Sequence, residues 1–131
     1  MFEIDYKVTV SDINYGGHMG NERALLLFQE ARINLFKALG GDEMNVIEGI
    51  GTIQKDAHVY YKGEVYMGEK LKVRIVRVEL KKASIDFFYQ VANENGDIVI
   101  EGSTLIVGFN YVLKKISKFP KELFEKLKAI I

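Results

Sequence analysis

The chain has no cysteine and no tryptophan, a single proline, and no surplus of either charge. Without cysteine there is no disulfide framework, no thiolate metal ligand and no Cys nucleophile. One proline in 131 residues, beside a hydrophobic share of 48%, argues against long disordered linkers. Lys+Arg and Asp+Glu are equal at 18 each, so no net field recruits nucleic acid or an anionic membrane. No stretch approaches the roughly 20 apolar residues of a membrane span. The first residues, MFEIDYKV, place an acid where a signal peptide needs a basic flank. No His/Asp/Glu spacing resembles a metal site, and no cofactor is implied. The expectation is one soluble, cytoplasmic domain over residues 1–131, long enough to bury roughly two-thirds of its unfolded surface.

What the chain does have is concentrated in Ser11–Arg32, SDINYGGHMGNERALLLFQEAR. A polar, glycine-rich turn carrying Asp12, Asn14, Tyr15, His18 and Asn21 leads straight into a long, mostly apolar stretch free of Pro and Gly up to Leu39. Ala, Leu, Glu, Gln and Arg dominate that stretch, which predicts a helix. Asn21 stands at the N-cap position, Glu22 in the first turn suits the helix dipole, and Gly40-Gly41 mark the end. At about 100° per residue, Ala24, Leu25, Leu27, Phe28, Ala31, Leu35, Phe36, Ala38 and Leu39 form a broad apolar arc. Arg32 falls inside that arc and must be paired or extended to the surface. Glu30 falls on a narrower polar strip that Leu26 and Ile33 interrupt. So apolar a helix is covered on most sides.

Either side of this element the pattern is β. Phe2, Ile4, Tyr6, Val8 and Val10 alternate with polar residues. Asp42–Ile47 reads as a short turn of helix. Thr52–Tyr61 reads as a strand, and Lys70–Leu80 as a strand whose alternation slips near Ile75-Val76, which suggests either a bulge or a strand whose second face becomes buried. Ile85–Val91 and Ile98–Tyr111 are strands joined by the hairpin turn Asn93–Asp97, NENGD. Pro120 opens an amphipathic terminal helix with Leu123, Phe124, Leu127, Ile130 and Ile131 on one side. The order is strand, long helix, about four strands in an antiparallel meander, and a short C-terminal helix. The fold class is α+β, a curved antiparallel sheet wrapped around one central helix.

This order, with Asp12-Ile-Asn-Tyr-Gly-Gly-His18, Gly20-Asn21 and Glu30-Ala-Arg32, resembles the hot-dog-fold acyl-CoA thioesterase superfamily. The likeness is to the 4-hydroxybenzoyl-CoA and acyl-carrier-protein (ACP) thioesterase-like branch, and within it to a DINYGGHxGN subset. Tyr61 and Gly68-Glu69 add weaker support. The resemblance implies a thioesterase acting on acyl-CoA or acyl-ACP, with its cleft between the subunits of a homodimer or homotetramer. The long apolar strand Ile98–Phe109 agrees with such pairing. Where better-known branches carry a catalytic Asp, this sequence has Asn14, and an amide is neither carboxylate nucleophile nor base at pH 7.

Thioester hydrolysis needs a polarised carbonyl, an activated water or carboxylate, and room for the acyl chain. The expected catalytic residues are Asn14, His18 and Glu30; the expected substrate contacts are Tyr15, Gly16, Gly17, Met19, Gly20 and Asn21. Amides between Gly17 and Gly20, at a helix N-terminus, can receive the developing oxyanion; the alternative is glycines that only make a tight turn. His18 is a base, donor or water positioner, since histidine ordinarily titrates near neutrality. Asn14 either holds water or carbonyl or caps its own turn. Glu30 is either a solvated surface acid or the replacement for the acid missing at Asn14, since other hot-dog thioesterases draw a carboxylate from this helix. Asp12 reads as structural. Asp56 and His58 share a strand face, and Lys55, Lys62 or Lys81 would meet CoA phosphates. Two other functions stay open. Asn14 motivates a non-catalytic acyl-CoA-binding protein, and a hydratase or dehydratase also occurs on this fold.

Overall fold

A computed structural model describes residues 1–131. It contains β1 (Phe2–Lys7), α1 (Arg23–Ala38), β2 (Ile50–Tyr61), β3 (Lys70–Leu80), β4 (Ser84–Ala92), β5 (Ile98–Asn110), a short β6 (Lys115–Ile116) and α2 (Lys121–Ile130). All strand pairs are antiparallel, and the main sheet runs β1-β3-β4-β5-β2, with β6 on β5. The curved sheet with α1 against it is the hot-dog arrangement. Neither helix is long and apolar enough to cross a membrane.

The meander is narrower than the sequence pattern implies. Only β3, β4 and β5 follow one another; β2 crosses to the far side and pairs with β5. β5 is therefore an interior strand, and the open edges belong to β1 and β2. The slip in Lys70–Leu80 is a bulge at Val76, between the pairs Ile75↔Tyr89 and Arg77↔Phe88. Asn93–Asp97 turns as expected, with Gly96 at φ 84° and Asn93 Oδ1 accepting the amides of Asn95 and Asp97. Asp42–Ile47 is not helical: Asp42 Oδ1 accepts the Met44 and Asn45 amides and holds a turn instead. β1 ends at Lys7, and a single 3-10 turn over Val10–Asp12 puts Val10 in solvent rather than on the strand's apolar face.

α1 buries most of the arc read from its spacing: Ala24, Leu27, Phe28, Ala31, Leu35 and Phe36 are at most 1% exposed, while Leu25 and Leu39 at its margins are half-buried and Ala38 is exposed. Phe28 stacks on Tyr89 of β4 at 4.2 Å, and Phe36 meets Phe87 edge-on at 6.1 Å. Each such side chain stabilises the fold by about 1.5–3 kcal/mol. The helix stops in a Schellman motif. Gly40, at φ 91°, donates to the Lys37 carbonyl and Gly41 to that of Phe36. Its start departs from expectation. Asn21 is not a side-chain cap; Gly20 accepts from the Arg23 amide, and the first-turn amides keep no cap.

Candidate active site

Asp12 is the post to which the turn is tied. It is 4% exposed, and its carboxylate accepts the Tyr6 hydroxyl at 2.8–2.9 Å and the Thr9 amide at 2.9 Å, with Arg23 Nε at 3.9 Å. Its contacts all lie within the turn and its neighbouring strand and helix. Burial, then the hydrogen bond to Asp12, push the Tyr6 hydroxyl from 10.0 up to about 12. Ionising Tyr6 is thus harder in the folded chain than in the unfolded one. Its stabilising effect is complete below about pH 10 and disappears as the pH rises to about 12. Urea midpoints measured across that window should fall for the wild type and fall less steeply for Tyr6→Phe. Equal slopes would disprove the coupling.

From Asp12 the chain runs out and back as a small hairpin closed by the Ile13–Met19 bridge. Asn14 Oδ1 accepts the Gly16 amide at 2.9 Å, an Asx turn, and Gly17 at φ 82° makes the reversal. Tyr15 at the tip is fully exposed. The return arm is anchored by hydrogen bonds from Met19 to the Val65 carbonyl, 2.7 Å, and from Gly20 to the Asp12 carbonyl, 3.0 Å. His18 Nδ1 lies 3.2 Å from the Met19 carbonyl. With Nδ1 donating there, Nε2 is the nitrogen left free as a base.

That arm forms one wall of a cavity of about 100 Å³. His18, Met19, Gly20 and Asn21 face Tyr61, Gly63, Glu64, Val65 and Ile100. The Tyr61 hydroxyl donates to the Asn21 carbonyl. Burial, then the charge of Glu22, push that hydroxyl above its ordinary value, so it remains a donor at neutral pH. Among the amides expected to polarise a carbonyl, Gly17, Met19 and Gly20 are spent on internal carbonyls. Of that expected set only the His18 amide has no backbone acceptor; outside it, the amides of Asn21 and Glu22 have none either.

Of the nine residues singled out by the sequence, four come together in this cavity: His18, Met19, Gly20 and Asn21. Asn14, Tyr15, Gly16 and Gly17 form the outer half of the turn and line no cavity. Glu30 is exposed and borders a different cavity of about 330 Å³, with Tyr6, Asp12 and Arg23. Within one chain Glu30 does not meet His18. The carboxylate that does share the His18 cavity is Glu64, which accepts the Tyr66 hydroxyl. Sequence reasoning missed it, since Glu64 belongs to no motif. Asp56 and His58 are exposed on the outer side of β2. Lys62 pairs with Glu101 and Lys81 with Asp86, both at 3.1 Å, so two of the three lysines considered for phosphates already have counter-ions.

A family model described as the thioesterase-like superfamily matches residues 8–127. The chain is 27% identical over 128 residues to an L-carnitine dehydrogenase/betainyl-CoA thioesterase of Rhizobium meliloti (strain 1021). The match covers 97% of this chain and 26% of that protein, so the chain spans about a quarter of that relative's length. The hypothetical protein SAV2348 from Staphylococcus aureus, solved in complex with CoA, superposes with a TM-score of 0.85 at 16% identity, covering 98% of this chain and 82% of its own. The hypothetical protein TT1821 from Thermus thermophilus does so with a TM-score of 0.88 at 18% identity over all of both chains. At these identities the two structures establish the fold.

Proposed function

The chain belongs to the thioesterase-like superfamily, and from that membership we propose that it is a cytoplasmic hydrolase of acyl thioesters carried on CoA or an acyl carrier protein. The observation that carries the proposal is that His18, Asn21 just ahead of α1, and the carboxylate-bearing Glu64 line one cavity. The thioester carbonyl lies against the amides of His18 and Asn21, where the nearby helix N-terminus favours negative charge. His18 takes a proton from water as the water adds to the carbonyl carbon. The C–S bond then breaks, and the leaving sulfur receives that proton as the free thiol. Glu64 holds the attacking water on the opposite side of the cavity. Met19 and Gly20 form the wall, and Asn14, Tyr15, Gly16 and Gly17 meet the carrier arm where it crosses the turn.

We further propose that the 131 residues work as one hot-dog domain within a homodimer or homotetramer. Support comes from β2, an edge strand of 12 residues carrying the exposed Tyr60 and Tyr61. A partner could also bring its own Glu30 to the cavity, which its exposed position on α1 allows. A panel of acyl-CoAs assayed with a free-thiol reagent tests the activity, and two variants test the acid. Glu64→Gln is expected to lower kcat about tenfold and Glu30→Gln to leave it within about twofold. The reverse order would transfer the acid's role to Glu30 acting across an interface. Ligand binding without any thiol release would replace hydrolysis by simple acyl binding.

A further inference from the structure

The central helix buries a charge that the chemistry above does not use. Arg32 has a side chain 5% exposed in the middle of the apolar arc of α1. Burying a guanidinium is costly unless its pairing is close and complete, and here it is neither. Glu43 Oε1 stands 3.6 Å from one terminal nitrogen, beyond hydrogen-bond length and not bidentate. Thr104 Oγ1 is at 3.5 Å, and Nε has no acceptor. Only the Tyr89 hydroxyl, at 3.0 Å, is a full partner. Burial pushes that hydroxyl above its ordinary value, and it shares a 2.6 Å hydrogen bond with Thr104, so it braces the guanidinium from below as a neutral group.

Above Arg32 lies a cavity of about 380 Å³ walled by Gln29, Glu43, Met44, Thr52 and Tyr111. The Thr52 hydroxyl already donates to the Glu43 carbonyl, and the Tyr111 hydroxyl to the Thr52 carbonyl. The side-chain donors facing the cavity are the guanidinium of Arg32, the amide of Gln54, and the amide of Gln29, which Glu43 Oε2 now accepts at 3.0 Å and would release on turning away. The only anionic group among them is the Glu43 side chain. Its backbone is pinned by Thr52, while its carboxylate, a quarter exposed, is held only by Gln29 Nε2 at 3.0 Å and by Arg32 at 3.6 Å and gives up both when it turns outward. We infer that this cavity receives a carboxylate at the far end of the acyl group, with Arg32 as its counter-ion and Glu43 as a stand-in that yields the place. The substrate class is then an acyl thioester with a terminal carboxylate, a dicarboxylic acid joined to its carrier at one end. Arg32 lies roughly 16 Å along α1 from Asn21, which is the span the acyl group of such a substrate has to cover between the thioester site and this cavity. The inference rests on the thioesterase reading for the carrier end only.

Matched pairs of acyl-CoAs, one ending in a carboxylate and one in a methyl, are assayed for thiol release across a series of lengths. The wild type is expected to show a KM about tenfold lower for the carboxylate member at a preferred length. Arg32→Met should abolish that preference. Glu43→Gln, which keeps Arg32 and removes its competitor, should deepen it about tenfold. In parallel, the free dicarboxylic acids should raise the melting temperature of the wild type, more that of Glu43→Gln, and not that of Arg32→Met. This readout needs no hydrolysis, so it decides the inference even where no substrate is turned over. Thiol release with no carboxylate preference at any length overturns the inference while leaving the thioesterase reading intact. Loss of stability in both variants with an unchanged preference also overturns it, in favour of a purely structural ion pair.

Discussion

Replacing His18 by alanine is expected to lower kcat/KM by about a hundredfold to ten-thousandfold on any acyl-CoA the wild type hydrolyses. The expectation follows from where the ring sits. Nδ1 is committed to the Met19 carbonyl at 3.2 Å, on an arm that is itself bonded to Val65 and Asp12. The imidazole is therefore held rather than free to rotate, and Nε2 is left for the reaction. A structural role predicts a different outcome, and His18→Asn separates the two. Asparagine retains a donor for the Met19 carbonyl but offers no base, so it should melt near the wild type and still lose the rate. If His18→Asn keeps wild-type turnover, His18 is a peg of the turn, and water activation must be reassigned to Glu64.

Much of the fold was legible because its signals are local. Alternation in β1, the glycine pair after Leu39, the NENGD turn and even the bulge at Val76 each lie within a few residues of the chain that forms them. The order of strands was not legible, because β2 and β5 find one another across the intervening β3 and β4. No local pattern records that choice. The consequence for assembly was correspondingly misplaced: Ile98–Phe109, the most apolar strand, is paired on both sides, while the free edge is β2, whose middle is polar.

The site divides in the same way. The turn from Asp12 to Asn21 was readable as a unit, since its glycines and amides act on their immediate neighbours. Glu64 was not, because it joins His18 only through the bond from Met19 to Val65. Glu30 was drawn in by the need for an acid, yet its angular position had already put it on the polar strip, and there it stays. Arg32 was the one residue whose misfit with its surroundings announced itself. A charge inside an apolar arc demands a partner wherever the chain places it, and the partners are Glu43, Tyr89 and Thr104.

The largest loss of stability is expected at Gly102, a residue with no part in the chemistry. It lies on β5 between Val59 of β2 and Tyr89 of β4, on the sheet face beneath α1. A Cβ there would stand 2.6 Å from Cε2 of Phe28 and 2.4 Å from the His58 carbonyl oxygen. The first contact presses on a ring with no exposed surface, stacked on Tyr89; the second presses on backbone within the sheet. Neither neighbour gives way without moving the helix or the strand. Gly102→Ala should therefore cost about 3 kcal/mol and lower the melting temperature by roughly 10 °C. Shortening Phe28 removes only one of the two clashes. In a double-mutant cycle, Gly102→Ala with Phe28→Leu should be less destabilised than the sum of the single changes, yet still less stable than Phe28→Leu alone. Strict additivity would mean that the ring and the glycine do not meet. Because Phe28 follows closely on the amides at Asn21 and Glu22, displacing it should also lower kcat in the fraction that remains folded, which links this glycine of the sheet to the turn where the thioester is held.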